Sequence, residues 1–429
     1  MSERVLEFEE ALGEVLQQAG ALGRPPRTQS VALLEAMGRT LAEPVKAERD
    51  QPPFARSTRD GYAVRSVDVS SEQPLRIVGG VRAGEQWTGD VLGNCEAIEI
   101  MTGAPVPDGA DAVLMVEHAS IGPDGALEVQ AGRALQSGEN VVAQGAEAHA
   151  GAELVPVGRR IGAAEIALAA NCGCERLHVF ARPVVAIVAT GDELVELNEK
   201  PQPSQIRNSN SYALAALVAA EDGEPRRLPI ARDKRENLQE RIAAAMDAEL
   251  LLLSGGVSMG KYDLVEQVLS ELGAEFLFTG AWIQPGKPVV FGRLPRRSKT
   301  GGQEAAGPAG ESARGSKWLY FFGLPGNPIS TEVCFRLFAA PMLRALTGQT
   351  EIAPQFAEAL LAEEVRGGAR VTRFLPAIIE SDWKQASVRV VPWQGSGDLA
   401  ANARANGFAV LPGGAERIVA GESVRVLLR

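Results

Sequence analysis

Apolar side chains recur at Val5, Leu6, Phe8, Leu12, Val15 and Leu16, a spacing that predicts a helix over residues 3–20 with one buried face. A second helix is predicted from Ser30 to Leu41, ahead of the turn-rich stretch QPPFARSTRDGYAVR. From about residue 65 to 180 the pattern shortens. Pieces such as LRIVGG, EAIEIMTG, AVLMVEH and ALEVQ are broken by Gly, Pro and Asp, which predicts small β-rich units. Similar punctuation around 145–161 predicts more of the same.

At Pro183 the pattern changes again. VVAIVA (184–189) is a continuous apolar, β-branched run, as expected of a strand buried on both faces. The loop TGDE follows, then a helix from Ser211 to Ala220, the strand RRLPI and a helix over Glu236–Asp247. ELLLLS leads into the loop GGVSMG and a helix over Tyr262–Leu272, and another strand leads into IQPGKP. VVFGRL and WLYFFG read as the two arms of a hairpin, and GLPGNP opens a long helix from Ile329 to Leu346. Strands alternating with helices predict a doubly wound α/β unit with a parallel sheet. The Gly-rich loops each follow a strand end, where such sheets bind ligands.

Between the hairpin arms, residues 296–316 are polar and glycine-rich without a large apolar side chain, so they read as a mobile insertion. Residues 355–429 return to short β-rich pieces and predict a C-terminal barrel.

Composition narrows the function. The 429 residues are 45% hydrophobic and 23% charged, enough for several packed cores. A net charge of −11 argues against a general binder of nucleic acid or anionic membranes, so an anionic ligand must be held by a few local cations and backbone N–H groups. No apolar run reaches the roughly 18 residues needed to span a bilayer, and the acidic, amphipathic start is unlike a secretory signal. Four scattered cysteines form neither a disulfide framework nor a zinc pattern. With only three histidines, a metal falls to carboxylates, as Mg²⁺ prefers. A reducing cytoplasm fits this usage.

The stretch SGGVSMGKYD (254–263) nearly matches a nucleotide-binding P-loop, but Tyr262 stands where a Ser or Thr must reach Mg²⁺. It reads instead as a Gly-rich strand–helix turn. Gly255 and Gly256 let backbone approach a phosphate, and the helix N-terminus favours negative charge. Asp263 is either a charge stabilising that helix end or a carboxylate facing the cleft. In TGDE, Gly191 and Asp192 serve the turn while Glu193 is surplus to it. Lys287 follows a Pro-Gly turn, and Asn327 and Ser330 stand at a helix entrance. A solvated cation or first-turn polar residue explains each alone. Their convergence on one sheet edge with three Gly-rich turns points to a site.

TGDE, SGGVSMGxxD, PGKP and GLPGNPxS, in that order, resemble the MoeA family of molybdopterin molybdenumtransferases, which includes the gephyrin E domain. PPFxxSxxDGYAVR (52–65) and IMTGAPVPxGADAV (100–113) extend the resemblance through the N-terminal half. The resemblance implies an elongated, L-shaped subunit in a homodimer. It divides the chain into a small unit (27–50 and 140–181), a β-rich unit (51–139), a Mog-like α/β unit (1–26 and 182–348) that binds the pterin, and a C-terminal β-barrel (349–429). It implies Mg²⁺-dependent insertion of molybdate into adenylylated molybdopterin with release of AMP, the substrate coming from a Mog-type adenylyltransferase.

By the same resemblance Asp60, Thr102, Glu193, Asp233 and Asp263 take catalytic positions, with Glu193 and Asp263 as metal ligands. Substrate contacts fall to Gly255, Gly256, Ser258, Pro285, Gly286, Lys287, Pro288, Gly326, Asn327, Pro328, Ser330, Arg373 and Ser396. Of these, Lys287, Ser330 and Ser396 gather an oxyanion pocket. Three departures stand out. Arg59 precedes Asp60 where the family has methionine. Gln284 and Pro376 replace cations, leaving Arg370 or Arg373 as substitutes. A tungstate-inserting paralogue and a non-catalytic binding scaffold are the alternatives.

Overall fold

The computed structural model describes residues 4–23, 25, 27–69, 73–256, 264–296, 317–367 and 370–429. The 296–316 insertion therefore lies, from residue 297 on, outside the described residues, as do Ser258 and Asp263. Among the described residues no helix is long and apolar enough to cross a membrane.

The six strands of the central sheet are β1 (Val184–Ala189), β2 (Glu224–Arg227), β3 (Leu250–Ser254), β4 (Glu275–Phe278), β5 (Val290–Pro295) and β6 (Trp318–Leu324). They stand in the order β2-β1-β3-β6-β5-β4. Parallel pairing holds from β2 to β6, while β5 and β4 add an antiparallel edge. The predicted parallel sheet is thus mixed, because β5 and β6 are the arms of one hairpin. β3 is buried at every position, as its run of leucines requires. β2 is an edge strand, where Pro225 can sit without a donor.

Helices cover both faces. On one lie α1 (Phe8–Gly20), α2 (Asn210–Ala220) and the helical run that starts with α5, beneath Val185, Ile187, Leu250, Leu252 and Phe322. On the other lie α3 (Arg235–Ala245) and α4 (Leu264–Glu271), against Ala186, Val188, Leu251, Leu253 and Phe321. The long C-terminal helix is α5 (Pro328–Cys334), a π-helical stretch over Phe335–Ala339, and α6 (Ala340–Leu346). Pro341 lacks an N–H, so the ordinary i→i−4 ladder cannot pass through it, and the wider turn sits just ahead of it.

The helix predicted over Ser30–Leu41 is not there. Thr28–Ala32 is a strand paired antiparallel with Arg176–Phe180, followed by one 3₁₀ turn at Leu33–Ala36. The available partner strand overrides the helical spacing, and Gly38 turns the chain with φ of 76°. Leu34 and Met37 are 78% and 52% exposed. The β-rich readings further on hold: Arg76–Val81, Glu96–Ile100, Gly61–Val64 and Ala112–Met115 form a four-stranded sheet.

The C-terminal strands β7 (Phe356–Leu361), β8 (Thr372–Ser381), β9 (Ala386–Val390), β10 (Gly407–Leu411) and β11 (Ser423–Leu428) pair in a closed circuit β8-β9-β7-β11-β10-β8, the expected barrel. The short strand Ile283–Gln284, just before PGKP, pairs with Thr372–Arg373 at the start of β8. The barrel is thereby stitched to the α/β unit beside its Gly-rich loops.

The ladder of β5 and β6 continues to its open end, where Arg296 N donates to Lys317 O at 2.8 Å. Residues 297–316 therefore join two points already held together, and loop length costs only about 0.6 kcal/mol per doubling. Replacing them with Asn-Gly, a little over three halvings of the loop, should change unfolding free energy in urea by no more than about 2 kcal/mol. A larger loss would show that the segment packs on the fold.

Candidate functional site

The parallel register decides which loops meet. Ala189 pairs with Ser254 and Ser254 with Leu324, so TGDE, SGG and PGNP leave the sheet side by side. β5 runs the other way, with Val290 opposite Gly323, so the preceding PGKP turn reaches the same edge. Gly255 has φ of +91°, and a Cβ there would stand 2.6 Å from Thr190 O. The loop can lie against its neighbour only without a side chain.

One amide ties this edge together. Asn210 Nδ2, at the start of α2, donates to Gly326 O at 2.7 Å, with Ser254 Oγ at 3.1 Å and Thr331 Oγ1 at 3.3 Å. Beside it, Thr190 is buried and its Oγ1 has no hydrogen-bond partner among the described residues. An unpaired buried hydroxyl is costly and suits a ligand that completes it. Asp192 accepts from Asp233 N at 3.2 Å, and Arg232 Nη1 holds the carbonyls of Asp192 and Leu194 at 3.2 and 2.9 Å. Glu193 and Asp233 are thus brought to one turn pair, both exposed. The sequence reading had given Asp192 only to the turn and had passed over Thr190, Asn210 and Arg232. Asparagine at a helix start reads as a cap in sequence, and its long-range partners leave no local signal.

The PGKP turn packs on α5. Gly286 has φ of +117°, and a Cβ would meet Cys334 Sγ at 2.5 Å. Burial pushes the Cys334 thiol up, so it is no nucleophile. Pro285 is buried, while Lys287 and Pro288 are half-buried. Lys287 Nζ lies 3.9 Å from the centre of the Trp282 ring, a contact that leaves its charge unneutralised. Pro328 opens α5 at the position that needs no N–H. Asn327 does not cap its own helix; its Nδ2 donates to Ser396 Oγ at 2.9 Å, and Ile329 N donates to Ser396 O at 3.0 Å. Ser396, remote in sequence, is therefore delivered to the edge, and Ser330 is buried in the first turn. Arg373 stands opposite Gln284 in the short parallel pairing, with Nη1 donating to Arg366 O at 3.0 Å. Pro376 lies further along β8, opposite Phe408.

Asp60 and Thr102 form a pair of their own. Asp60 Oδ1 accepts from Thr102 N at 2.7 Å and from Thr102 Oγ1 at 2.8 Å. Those two bonds, the backbone one first, hold the Asp60 carboxyl below the ordinary aspartate value. Arg59 makes no ion pair with it; its N–H instead donates to Ser57 Oγ at 3.1 Å. No hydrogen bond or ion pair among the described residues joins this pair to the sheet edge.

Among the described residues no three carboxylate, histidine or cysteine side chains gather closely enough to hold a metal by themselves. The hard oxygens of Glu193 and Asp233 suit an ion that takes one or two protein carboxylates and completes its shell with water and substrate phosphates.

A sequence profile described as the MoeA N-terminal region (domain I and II) matches residues 6–173. A probable molybdopterin binding domain matches 186–345, and the MoeA C-terminal region (domain IV) matches 358–428. A protein of Nostoc sp. named molybdopterin molybdenumtransferase is 36% identical over 408 residues, covering 93% of this chain and 88% of its own. A Bacillus subtilis protein of the same name is 32% identical, covering 94% and 90%. The crystal structure of a molybdopterin biosynthesis MoeA protein from Pyrococcus horikoshii is 30% identical, covers 99% of both chains and has a TM-score of 0.69. A second from that organism, at 24% identity and a TM-score of 0.76, shares the fold over 99% of this chain and 100% of its own.

Thr102→Val removes one of the two bonds to Asp60 and leaves the backbone bond. The Asp60 pKa should rise part of the way toward the ordinary aspartate value, as read by carboxyl-carbon NMR titration. Because the folded pKa is lowered, the pair stabilises the fold above the ordinary aspartate pKa, and that contribution is lost as pH falls through the folded value. An unchanged pKa in the variant would remove the hydroxyl from the account.

Proposed function

The chain belongs to the MoeA family, and from that premise we propose that it inserts molybdenum from molybdate into molybdopterin, using the adenylylated pterin and releasing AMP. The observation that carries this reading is the meeting of TGDE, SGG, PGKP and PGNP at one sheet edge around the unpartnered Thr190 hydroxyl. Such an edge supplies what the substrates need. Gly255 N is held by Leu324 O at 3.1 Å, so the Gly256 N–H, with Ser258, receives phosphate oxygens, and Gly326, Asn327 and Pro328 form the facing wall. Lys287, Ser330 and Ser396 receive the oxyanion, with Arg373 approaching from the barrel. The two dithiolene thiols displace two molybdate oxygens, which leave as water on protons from the thiols and solvent, and hydrolysis of the phosphoanhydride consumes one water, freeing AMP and leaving the phosphate on the pterin. No nucleophilic cysteine or histidine base is required.

Mg²⁺, when bound, neutralises charge on the phosphates. Glu193 and Asp263 would hold it, Asp233 stands beside Glu193, and Asp60 with Thr102 completes the polar set. The reading extends to a homodimer, to substrate delivered by a Mog-type adenylyltransferase, and to the cytoplasm. The last is supported by four cysteines that are all free.

The direct assay incubates the protein with adenylylated molybdopterin, Mg²⁺ and either molybdate or tungstate, and follows AMP. Molybdate-dependent AMP release supports the reading. Release only with tungstate would make the chain a tungstate-inserting relative, and none with either would leave a binding scaffold. Glu193→Gln and Asp263→Asn keep shape but remove charge, so each should lower turnover more than pterin binding. Full activity of both at saturating Mg²⁺ would end the metal role.

Within that assay the cations can be ranked. Gln284 and Pro376 leave Lys287 as the principal charge near the oxyanion, and a charge-assisted hydrogen bond contributes about 1.5–3 kcal/mol. Lys287→Ala should raise the molybdate concentration needed for half-maximal rate by about one to two decades, with pterin binding nearly unchanged. Gln284→Lys should lower it. Damage from Arg373→Ala and not from Lys287→Ala would assign the oxyanion to the barrel arginine.

A further inference from the structure

A cavity of about 320 Å³ opens far from the Gly-rich loops, between the turn at Gly158–Arg160, the end of α2 near Glu221 and the end of β11 near Arg429. The 11 residues of α2 separate it from Asn210 by about 16 Å. Five arginines line it, Arg159, Arg160, Arg336, Arg344 and Arg429, against the carboxylates of Glu221 and Glu351.

Three of these cations pair with Glu221, Glu165 and Glu351, two of them sharing Glu221. Arg344 binds both oxygens of Glu221, at 2.9 and 2.7 Å. Arg160 leans on the same carboxylate at 3.7 Å and donates to Ala220 O at 2.8 Å. Arg159 binds Glu165 at 2.9 Å, with Glu351 at 3.5 Å. The other two share a single carboxylate. Arg336 Nε lies 2.9 Å and Arg429 Nε 3.2 Å from Glu332 Oε1. Their side chains are 18% and 20% exposed, and that of Glu332 is 14%, so water screens this imbalance poorly. Burial lowers the proton affinity of Arg429, Glu332 restores part of it, and the Arg336 charge opposes that.

Arg429 spends its terminal nitrogens on Glu332, Asn402 and Ala405. Arg336 uses only Nε, and its two terminal nitrogens have no hydrogen-bond partner among the described residues. A guanidinium with its fork open, in a cavity that carries surplus positive charge, matches an oxyanion.

We propose that this cavity binds a tetrahedral phosphate dianion, as the free ion or as the head of a small monoester, on the open fork of Arg336. Thr350 stands on the exposed rim with its Oγ1 donating to Gly158 O at 3.4 Å, and Leu217, Pro354 and Leu427 give the body of an ester an apolar wall. The ligand bridges three parts of the chain, so its occupancy stabilises their junction. The proposal is independent of the chemistry assigned to the sheet edge.

Isothermal titration of the full chain at low ionic strength, with inorganic phosphate and with glycerol phosphate, tests it. Saturable binding of at least one probe is expected, weakened about tenfold or more in Arg336→Gln. Thr350→Glu, an exposed change that places a negative charge at the rim, should abolish it, and this variant decides should Arg336→Gln fail to fold. Lys287→Ala should leave it unchanged. Tighter binding of the ester identifies an organic phosphate as the ligand, and equal or weaker binding identifies the free ion. The proposal is overturned by no saturable binding of either probe, by binding that survives both cavity variants, or by binding lost with Lys287→Ala.

Discussion

Two parallel strand pairings carry the candidate edge. Ala189 faces Ser254 and Ser254 faces Leu324, so loops that begin at residues 190, 255 and 325 leave the sheet level with one another. Burial on both faces fixes that register. A slip of one residue would turn the Leu250–Leu253 side chains to the wrong layers and break two cores at once. The glycines then allow the loops to close to contact, and the Asn210 amide locks the assembled edge. Chemistry at this edge rests on strand pairing more than on any one loop.

Much of this was legible in the chain. β1 and β3 are uninterrupted apolar runs, and each Gly-rich loop follows a strand end, so the edge could be placed before any coordinates were known. What stayed hidden depends on partners far away in sequence. The spacing over Ser30–Leu41 is compatible with a helix, but Arg176–Phe180 offers a strand partner that no local window contains. Asn210 reaches residues 254, 326 and 331, and Thr190 matters because it is left unpaired. The stitching of Ile283–Gln284 to the barrel, which brings Arg373 beside Gln284, is likewise invisible in either segment alone.

Charge is distributed with the same economy. The chain is acidic overall, with a net charge of −11, yet the sheet edge presents Lys287 and places Arg373 close by, while arginines crowd the opposite end of α2. At the edge, the exposed carboxylates of Glu193 and Asp233 stand on one turn pair, an arrangement that favours a divalent ion shared with substrate phosphates. At the far cavity two arginines share Glu332, an arrangement that favours an anion.

Amide hydrogen exchange, with and without adenylylated molybdopterin, tests in one experiment whether the loops collected by β1, β3, β5 and β6 hold the adenylylated pterin, as proposed above. Protection should appear in the segments 190–193, 254–256, 285–288 and 325–331, while the barrel strand 423–428 exchanges as before. Protection confined to other parts of the chain, with those four segments unchanged, would contradict the account.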